Sequence, residues 1–413
     1  MRDMGDEVTI SDLGALGDGI VREGNDELYI PYGIPGDVVS VTRDGSFAQI
    51  DKIVSPSTDR VQPQCRHFTR CGGCKLQHVQ FEHYLDLKAA RVRSAFDREG
   101  LDCDIAPVWS AGLGARRRAV FSAARTKKTL PFGFHQYRSD AIENIDECPI
   151  LVGAIGEHLE DLRRIAGNFL TRKRAAKVGV TASLDGLDVW ISGARPEIAP
   201  DIVARIFADC ERARVQRLIV DGEILYQNGE PEVSLSGVRV PLPSGSFLQA
   251  CENAEARMAE IIINIMQGRK SLIDLFAGIG TFSFAMAKLA PVLAIENSAK
   301  SLAALRVGSD RATGISPVAT LNRDLFEDPM SVKELSNFDG LVFDPPRAGA
   351  LAQAHQIAKS EIAHVVAVSC NPTTLARDLK VLVEDGYQIK SVYPIDQFVY
   401  SPHVEVVAHL LRS

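Results

Sequence analysis

The chemistry in this chain begins with a thiol at the end of an apolar run. Val365–Ser369 is short, β-branched and non-alternating, which predicts a strand buried on both faces. Asn371-Pro372 stops it, leaving Cys370 at its carboxyl end, the edge along which open α/β sheets bind ligands. Such a cysteine can pack, ligate a metal or attack an electrophile. Inert packing is the commoner fate, and no cysteine or histidine stands beside it to make a metal pair. The nucleophilic reading also needs a general base.

Two more groupings have chemical spacing. In CRHFTRCGGC, Cys65, Cys71 and Cys74 are separated by five and two residues, and Gly72-Gly73 lets the backbone turn both later sulfurs to one centre. Three thiolates call for a fourth, and Cys148, before Pro149, supplies it. An S4 site suits zinc or an iron–sulfur cluster, and spacing alone does not choose. In SLIDLFAGIGTFSF a strand, a glycine turn and a helix follow one another. Gly278 and Gly280 permit close backbone approach to a ligand, and the helix start offers free N–H groups. Ser283 stands where the dinucleotide fingerprint has its third glycine. Val292–Glu296 ends the next strand on an acid suited to ribose hydroxyls. Asp324 follows a third strand, and Asp344-Pro345-Pro346-Arg347 ends a fourth.

The elements that position these residues divide the 413-residue chain in three. Residues 1–59 read as closely spaced short strands with Gly and Pro turns, a small β-barrel. Residues 60–245 carry the cysteines, an amphipathic helix over Phe81–Arg98 that would pack on the catalytic domain, and a strand-rich mixed region. From 246 to 413 strands alternate with helices, the mark of a doubly wound parallel sheet. The net charge of −7 hides a positive middle, with 20 basic against 13 acidic residues over 61–180. Arg116-Arg117-Arg118, Arg125, Lys127-Lys128, Arg138 and Arg172-Lys173-Arg174, interleaved with Phe121, Phe132, Phe134, His135 and Tyr137, predict an RNA-facing block. With 46% hydrophobic residues, no membrane-length apolar run and no leader pattern, a cytoplasmic protein with reduced thiols is expected.

These motifs resemble known families. LGALGDGIV…LYIPYGIPGD is similar to the TRAM domain, an RNA-binding barrel of RNA-modifying enzymes. DLFAGIG…AIE…RD…DPPR resembles a class I S-adenosylmethionine (SAM) methyltransferase, whose fold is α/β and Rossmann-like. The nicotinamide alternative lacks a dehydrogenase-type catalytic group, and Asp-Pro-Pro after strand four is foreign to it. C-x5-C-G-G-C-x2-Q with a later Cys-Pro resembles the [4Fe–4S] motif of RNA uracil-5 methyltransferases, which implies Cys65, Cys71, Cys74 and Cys148 as ligands. SCNPTTLARDL matches that family's nucleophile motif and DQFVYSPHVE its base motif, with Val399 and Ser401 replacing Pro and Thr.

The resemblance implies Cys370 as nucleophile and Glu405 as general base. It places Phe276, Gly278, Gly280 and Thr281 at the cofactor loop, Glu296 on the ribose, Asp324 by the adenine and Asp344 near the reacting centre. Gln249 matches an F-x-Q element that reaches the site, although Ala250-Cys251 follows where the family has a small residue and Asn. The barrel and cysteines together imply the 23S ribosomal RNA branch, acting as a monomer, because tRNA relatives typically lack both. The alternatives are 5-methyluridine formation in tRNA, cytosine-5 methylation, and a non-enzymatic RNA-binding iron–sulfur scaffold. Cytosine-5 RNA enzymes carry a second cysteine where Asp344-Pro345-Pro346-Arg347 stands, and an adenine-N6 enzyme would have an aromatic in place of Arg347.

Overall fold

A computed structural model describes residues 6–24, 26–171, 175–193 and 200–412, so Arg172-Lys173-Arg174 of the basic block lies outside the described residues. Near the N-terminus six strands form one curled sheet, ordered Asp6–Thr9, Val38–Asp44, Phe47–Ser55, Asp26–Ile30, Gly19–Glu23, Asp12–Leu13. Its interior is filled by alternating residues such as Val21, Val39, Val41 and Ala48. A second, seven-stranded sheet runs from Ile142–Asn144 through Arg118–Ala123 and Ala176–Ala182 to Glu223–Gln227. Helices Leu159–Gly167 and Pro200–Arg212 cover it, and Phe121, Phe132, Leu162 and Ile206 are fully buried there. Phe121 and Phe132 were expected to stack on RNA; they are core, because strand alternation turns them towards the helices.

The third sheet has eight strands, ordered Val318–Asn322, Val292–Glu296, Leu272–Leu275, Gly340–Phe343, His364–Ser369, Glu405–Arg412, Tyr387–Asp396, Trp109–Ser110. The first five are parallel. The sheet is not wholly parallel as expected, because Glu405–Arg412 runs antiparallel to both its long neighbours. That reversal places the start of the Glu405 strand at the carboxyl end of the His364 strand, with Ser369 opposite Val406. The helix Phe81–Arg98 packs its buried face, Val92, Ala95 and Phe96, into the same core as Leu375, Leu379 and Val392. Trp109–Ser110 completes the outer edge beside Ile395-Asp396. The chain order reverses between Leu272–Leu275 and Gly340–Phe343, which opens a crevice above their carboxyl ends. Among the described residues no helix is long and apolar enough to cross a membrane.

Candidate active site

Above that crevice lies a cavity of about 480 Å³, within the range of small-molecule sites. Phe276, Gly278, Thr281, Glu296, Asp324, Asp344, Cys370 and Glu405 all line it. Gln249 and Gly280 stand behind the wall. Gly280 has φ +100°, and a Cβ there would meet Phe284 at 2.5 Å, so it permits close packing of the turn on the helix behind it. Gly278 has φ +58° with open space around it, and its N–H donates to Glu296 Oε2 at 3.1 Å. Ser298 N–H holds the other oxygen at 2.8 Å, which fixes the carboxylate while leaving lone pairs for ribose hydroxyls. Phe276 adopts φ 64° and its ring packs against Phe326, 5.5 Å between centroids, forming an aromatic wall beside Asp324. The following helix is only Ser283–Ala287. Ser283 donates to buried Asp274 at 2.5 Å, tying the glycine turn to its own strand. Burial pushes Asp274 up to about 7; the acid inside the run LIDL was the available sequence signal for it.

Cys370 is half-buried on this floor. Asn371 caps the helix Pro372–Glu384 by accepting from Thr373 N–H, and its amide donates to the Arg347 carbonyl at 3.1 Å. The turn therefore ties the thiol strand to the Asp344-Pro345-Pro346-Arg347 loop. Burial, then the charges of Glu405 and Asp344, push the Cys370 thiol up to about 11, and Arg347 opposes them. The thiol rests protonated.

The two carboxyls are joined by a chain of amides. Gln249 Nε2 donates to Asp344 Oδ2 at 3.1 Å, Gln397 Nε2 donates to Gln249 Oε1 at 2.8 Å, and the same nitrogen donates to Glu405 Oε2 at 2.6 Å. Gln397 Oε1 accepts from Ala250 N–H at 3.0 Å, which sets the amide's orientation. Burial raises Glu405 to about 7 and raises Asp344 strongly, with Glu405's charge adding to the latter. Two such carboxyls do not both ionise freely, so the pair keeps a proton near neutrality. Gln397 escaped the sequence reading because its role depends on strand register, which sets Ile395 opposite Glu405.

Cys251 does not enter the cavity; its thiol donates to the Gln397 carbonyl at 3.2 Å. Ser401 Oγ accepts from His403 N–H at 3.2 Å, and Val399 packs in the core. The expected basic block is divided. Arg117 is 4% exposed and does not face solvent: it donates to Glu255 at 2.6 Å and to the Gln249 carbonyl at 3.1 Å. Arg118 donates to the Leu248 carbonyl at 2.8 Å. These two brace the Gln249 segment, whereas Lys127, Lys128 and Arg138 are exposed.

The four cysteines of the second grouping form no disulfide. His67 bridges Glu143 and Asp146 at 3.1 and 2.8 Å, which ties the Cys65 loop to the segment just before Cys148. Burial pushes Cys148 up to about 12, and the charges of Cys74, Cys71 and Cys65 add to it, so the four sulfurs share one region. Gly73 N–H points at Cys71 Sγ, 3.5 Å away. Thiols are the donor type of a four-thiolate centre, but these side chains are not gathered into one. Among the described residues no three His, Cys, Asp or Glu side chains are arranged to hold a single metal ion.

Residues 206–413 match the model of the tRNA (uracil-5-)-methyltransferase family. An uncharacterised RNA methyltransferase of Mesorhizobium japonicum is 43% identical, with 97% of each chain covered. The 23S rRNA (uracil(1939)-C(5))-methyltransferase of Aliivibrio fischeri is 28% identical over 97% of this chain and 95% of its own. Among solved structures, the tRNA (uracil-54, C5)-methyltransferase of Pyrococcus abyssi, in complex with S-adenosyl-L-homocysteine, superposes with a TM-score of 0.76 at 22% identity, covering 98% of this chain and 99% of its own. That tRNA enzyme shares the fold along nearly its whole length. With the cofactor crevice and the uninterrupted likeness to RNA methyltransferases together, this chain belongs to the tRNA (uracil-5-)-methyltransferase family and is a SAM-dependent RNA uracil methyltransferase.

Proposed function

We propose that the chain makes 5-methyluridine at one position of 23S rRNA through a covalent Cys370–C6 adduct resolved by Glu405. The observation that carries this reading is the shared cavity: the thiol, the buried acid and the cofactor loop open onto one space. C5 of uracil is too weak a nucleophile to take a methyl group unaided. As the Cys370 Sγ–C6 bond forms, the C5–C6 π pair moves into an enolate and raises the electron density at C5. The thiol proton leaves in the same step, and the Asp344–Glu405 pair is the acceptor sharing the cavity. Phe276, Gly278, Glu296 and Asp324 would hold SAM, which would supply the electrophilic methyl. Glu405 passes the proton taken up by the pair to solvent, then takes the C5 proton as C5=C6 re-forms and the Sγ–C6 bond breaks, and it returns that proton to the released thiolate, which restores the resting thiol and the singly protonated pair. Reaching Cys370 requires the uridine to be unstacked and flipped.

The match to the ribosomal enzyme of Aliivibrio fischeri over nearly both chains supports the 23S target. The tRNA reading stands second, favoured by the equally complete fold match to the Pyrococcus enzyme. Nucleoside mapping of ribosomal and transfer RNA from a deletion strain tests both. Loss of one 5-methyluridine from 23S rRNA is the expected result, and loss from tRNA alone would overturn the ribosomal assignment. Family membership leaves no support for a non-enzymatic scaffold.

A cleft beside the barrel supports an RNA-facing role for it. A cleft of about 830 Å³ separates it from the central domain, with Tyr32 and Phe47 on one side and Arg70 and Arg138 on the other. The Arg138 guanidinium lies 3.5 Å from the centroid of Phe47, so charge and stacking surface coincide. Arg138→Ala is expected to weaken RNA binding and lower the slope of log K against log salt by about 1. A salt titration by filter binding checks it. For the cysteines we read a [4Fe–4S] cluster that Cys65, Cys71, Cys74 and Cys148 would hold. Anaerobically purified protein is expected to carry about four irons and visible absorbance, both lost in Cys148→Ala. Zinc in place of iron would reverse the assignment.

A further inference from the structure

One ammonium in the core is placed where the proposed base loop is anchored. Lys88, on the helix Phe81–Arg98, and Asp396, at the end of the strand Tyr387–Asp396, have side chains 1% and 0% exposed and form an ion pair. Lys88 Nζ also donates to the Phe398 carbonyl at 3.1 Å and the His403 carbonyl at 2.6 Å. All three ammonium protons are thereby used, and they join the two ends of the loop between the last two strands. Gln397, which donates to Glu405, sits between the first two of these contacts, and Glu405 begins two residues after the third.

The loop tip is held from the same side. Tyr84 donates to Asp396 Oδ2 at 2.7 Å and accepts from Tyr400 N–H at 2.8 Å. Lys75 and Leu76 N–H donate to the Tyr400 carbonyl at 2.8 and 3.1 Å. Tyr400 itself is in the left-handed region, at φ 61°, a conformation that persists only where surroundings fix it. The chain immediately after Cys74 thus clamps the loop that carries Gln397 and leads into Glu405. A buried ion pair is weak evidence for stability, since packed apolar side chains of similar volume serve as well. What an apolar pair could not supply is three directed donors spanning the loop's two ends.

We propose that Lys88 is a positioning residue for the resolving step: through Asp396 and the Phe398 and His403 carbonyls it fixes the loop that aims Glu405, and so it governs release of the RNA adduct rather than its formation. This rests on the reading of Glu405 as base. The test compares full-length wild type, Glu405→Gln and the charge-neutral double variant Lys88→Met/Asp396→Asn with SAM and a 23S rRNA fragment. It measures kcat, KM and the fraction of protein trapped as denaturant-stable RNA adduct.

In the double variant kcat is expected to fall by about 10- to 100-fold, the cost of a misaligned reacting group, with KM for SAM unchanged and the adduct fraction raised towards that of Glu405→Gln. A wild-type adduct fraction, or a kcat loss matched by loss of folded protein, would assign the pair a structural role only and overturn the proposal. If Glu405→Gln itself traps no adduct, the base assignment fails instead, and the two failures are told apart. Should the double variant not fold, Tyr84→Phe carries the test, because it removes only the hydroxyl that links Asp396 to Tyr400. The same rise in adduct fraction is expected, and its absence overturns the proposal.

Discussion

Cys370→Ala is expected to abolish methyl transfer, with turnover reduced by about 10⁴-fold or more, because among the described residues no other thiol lines the cavity to add to C6. Asp344 and Glu405 are oxygen acids in a shared proton network, and Arg347 is a cation. Without the sulfur, C5 has no enolate behind it, and the carbon stays a poor nucleophile however well the methyl donor is placed. SAM binding should survive, since Phe276, Glu296 and Asp324 hold a different part of the cavity and do not depend on the thiol. Cys370→Ser should be nearly as inactive. The hydroxyl would occupy the same strand end, but the burial that, with the two carboxyls, already pushes the thiol up to about 11 makes an alkoxide far harder to form. The checks are single-turnover methyl incorporation and adduct capture on a denaturing gel. A variant that keeps appreciable transfer without adduct would remove covalent catalysis from the mechanism.

The route from sequence to this site was uneven for physical reasons. Cys370 was legible because a buried parallel strand announces itself by an unbroken β-branched run, and Asn371-Pro372 marks where it stops. Glu296 and Asp344 were legible for the same reason, each ending an apolar strand. Glu405 was found only through a motif resemblance, since it starts a strand rather than ending one, and the antiparallel reversal that brings it to Cys370 is a property of strand order. Gln397 and Lys88 were not legible at all. Gln397 looks like any loop amide until register pairs Ile395 with Glu405. Lys88 falls on the apolar face of a helix, where a lysine ordinarily runs its head out to water; only the fold shows three oxygens waiting for it. Arg117 failed in the opposite sense: three adjacent arginines read as a phosphate surface, yet strand alternation turns the middle one inward onto Glu255.

Glu405→Gln should separate the two halves of the reaction. The substitution keeps the shape and leaves Asp344 to accept the thiol proton, so addition of Cys370 to C6 and methylation at C5 proceed. The C5 proton then has no acceptor in reach, the Sγ–C6 bond cannot break, and methylated RNA stays on the protein. Steady-state turnover is expected to fall by about 10²- to 10⁴-fold while adduct accumulates near one per enzyme. Absence of adduct would sink the assignment of the base. In the wild-type protein the same group is expected to set the acid limb of the rate profile. Burial raises Glu405 from 4.5 to about 7, so resolution should quicken as pH rises towards and past neutrality, and adduct should build up below it.

Stability moves in the other direction. Between 4.5 and about 7 the folded chain keeps a proton on Glu405 that the unfolded chain has released, so this group favours the native state most at low pH and that contribution is lost as pH rises through the window. Glu405→Gln removes the titration, and its unfolding midpoint should gain on the wild type as pH increases from 5 to about 8. A base that is worst for the fold under the conditions where it works best is what a buried catalytic carboxyl entails, because the burial that raises its affinity for the C5 proton is the same burial that penalises its charge.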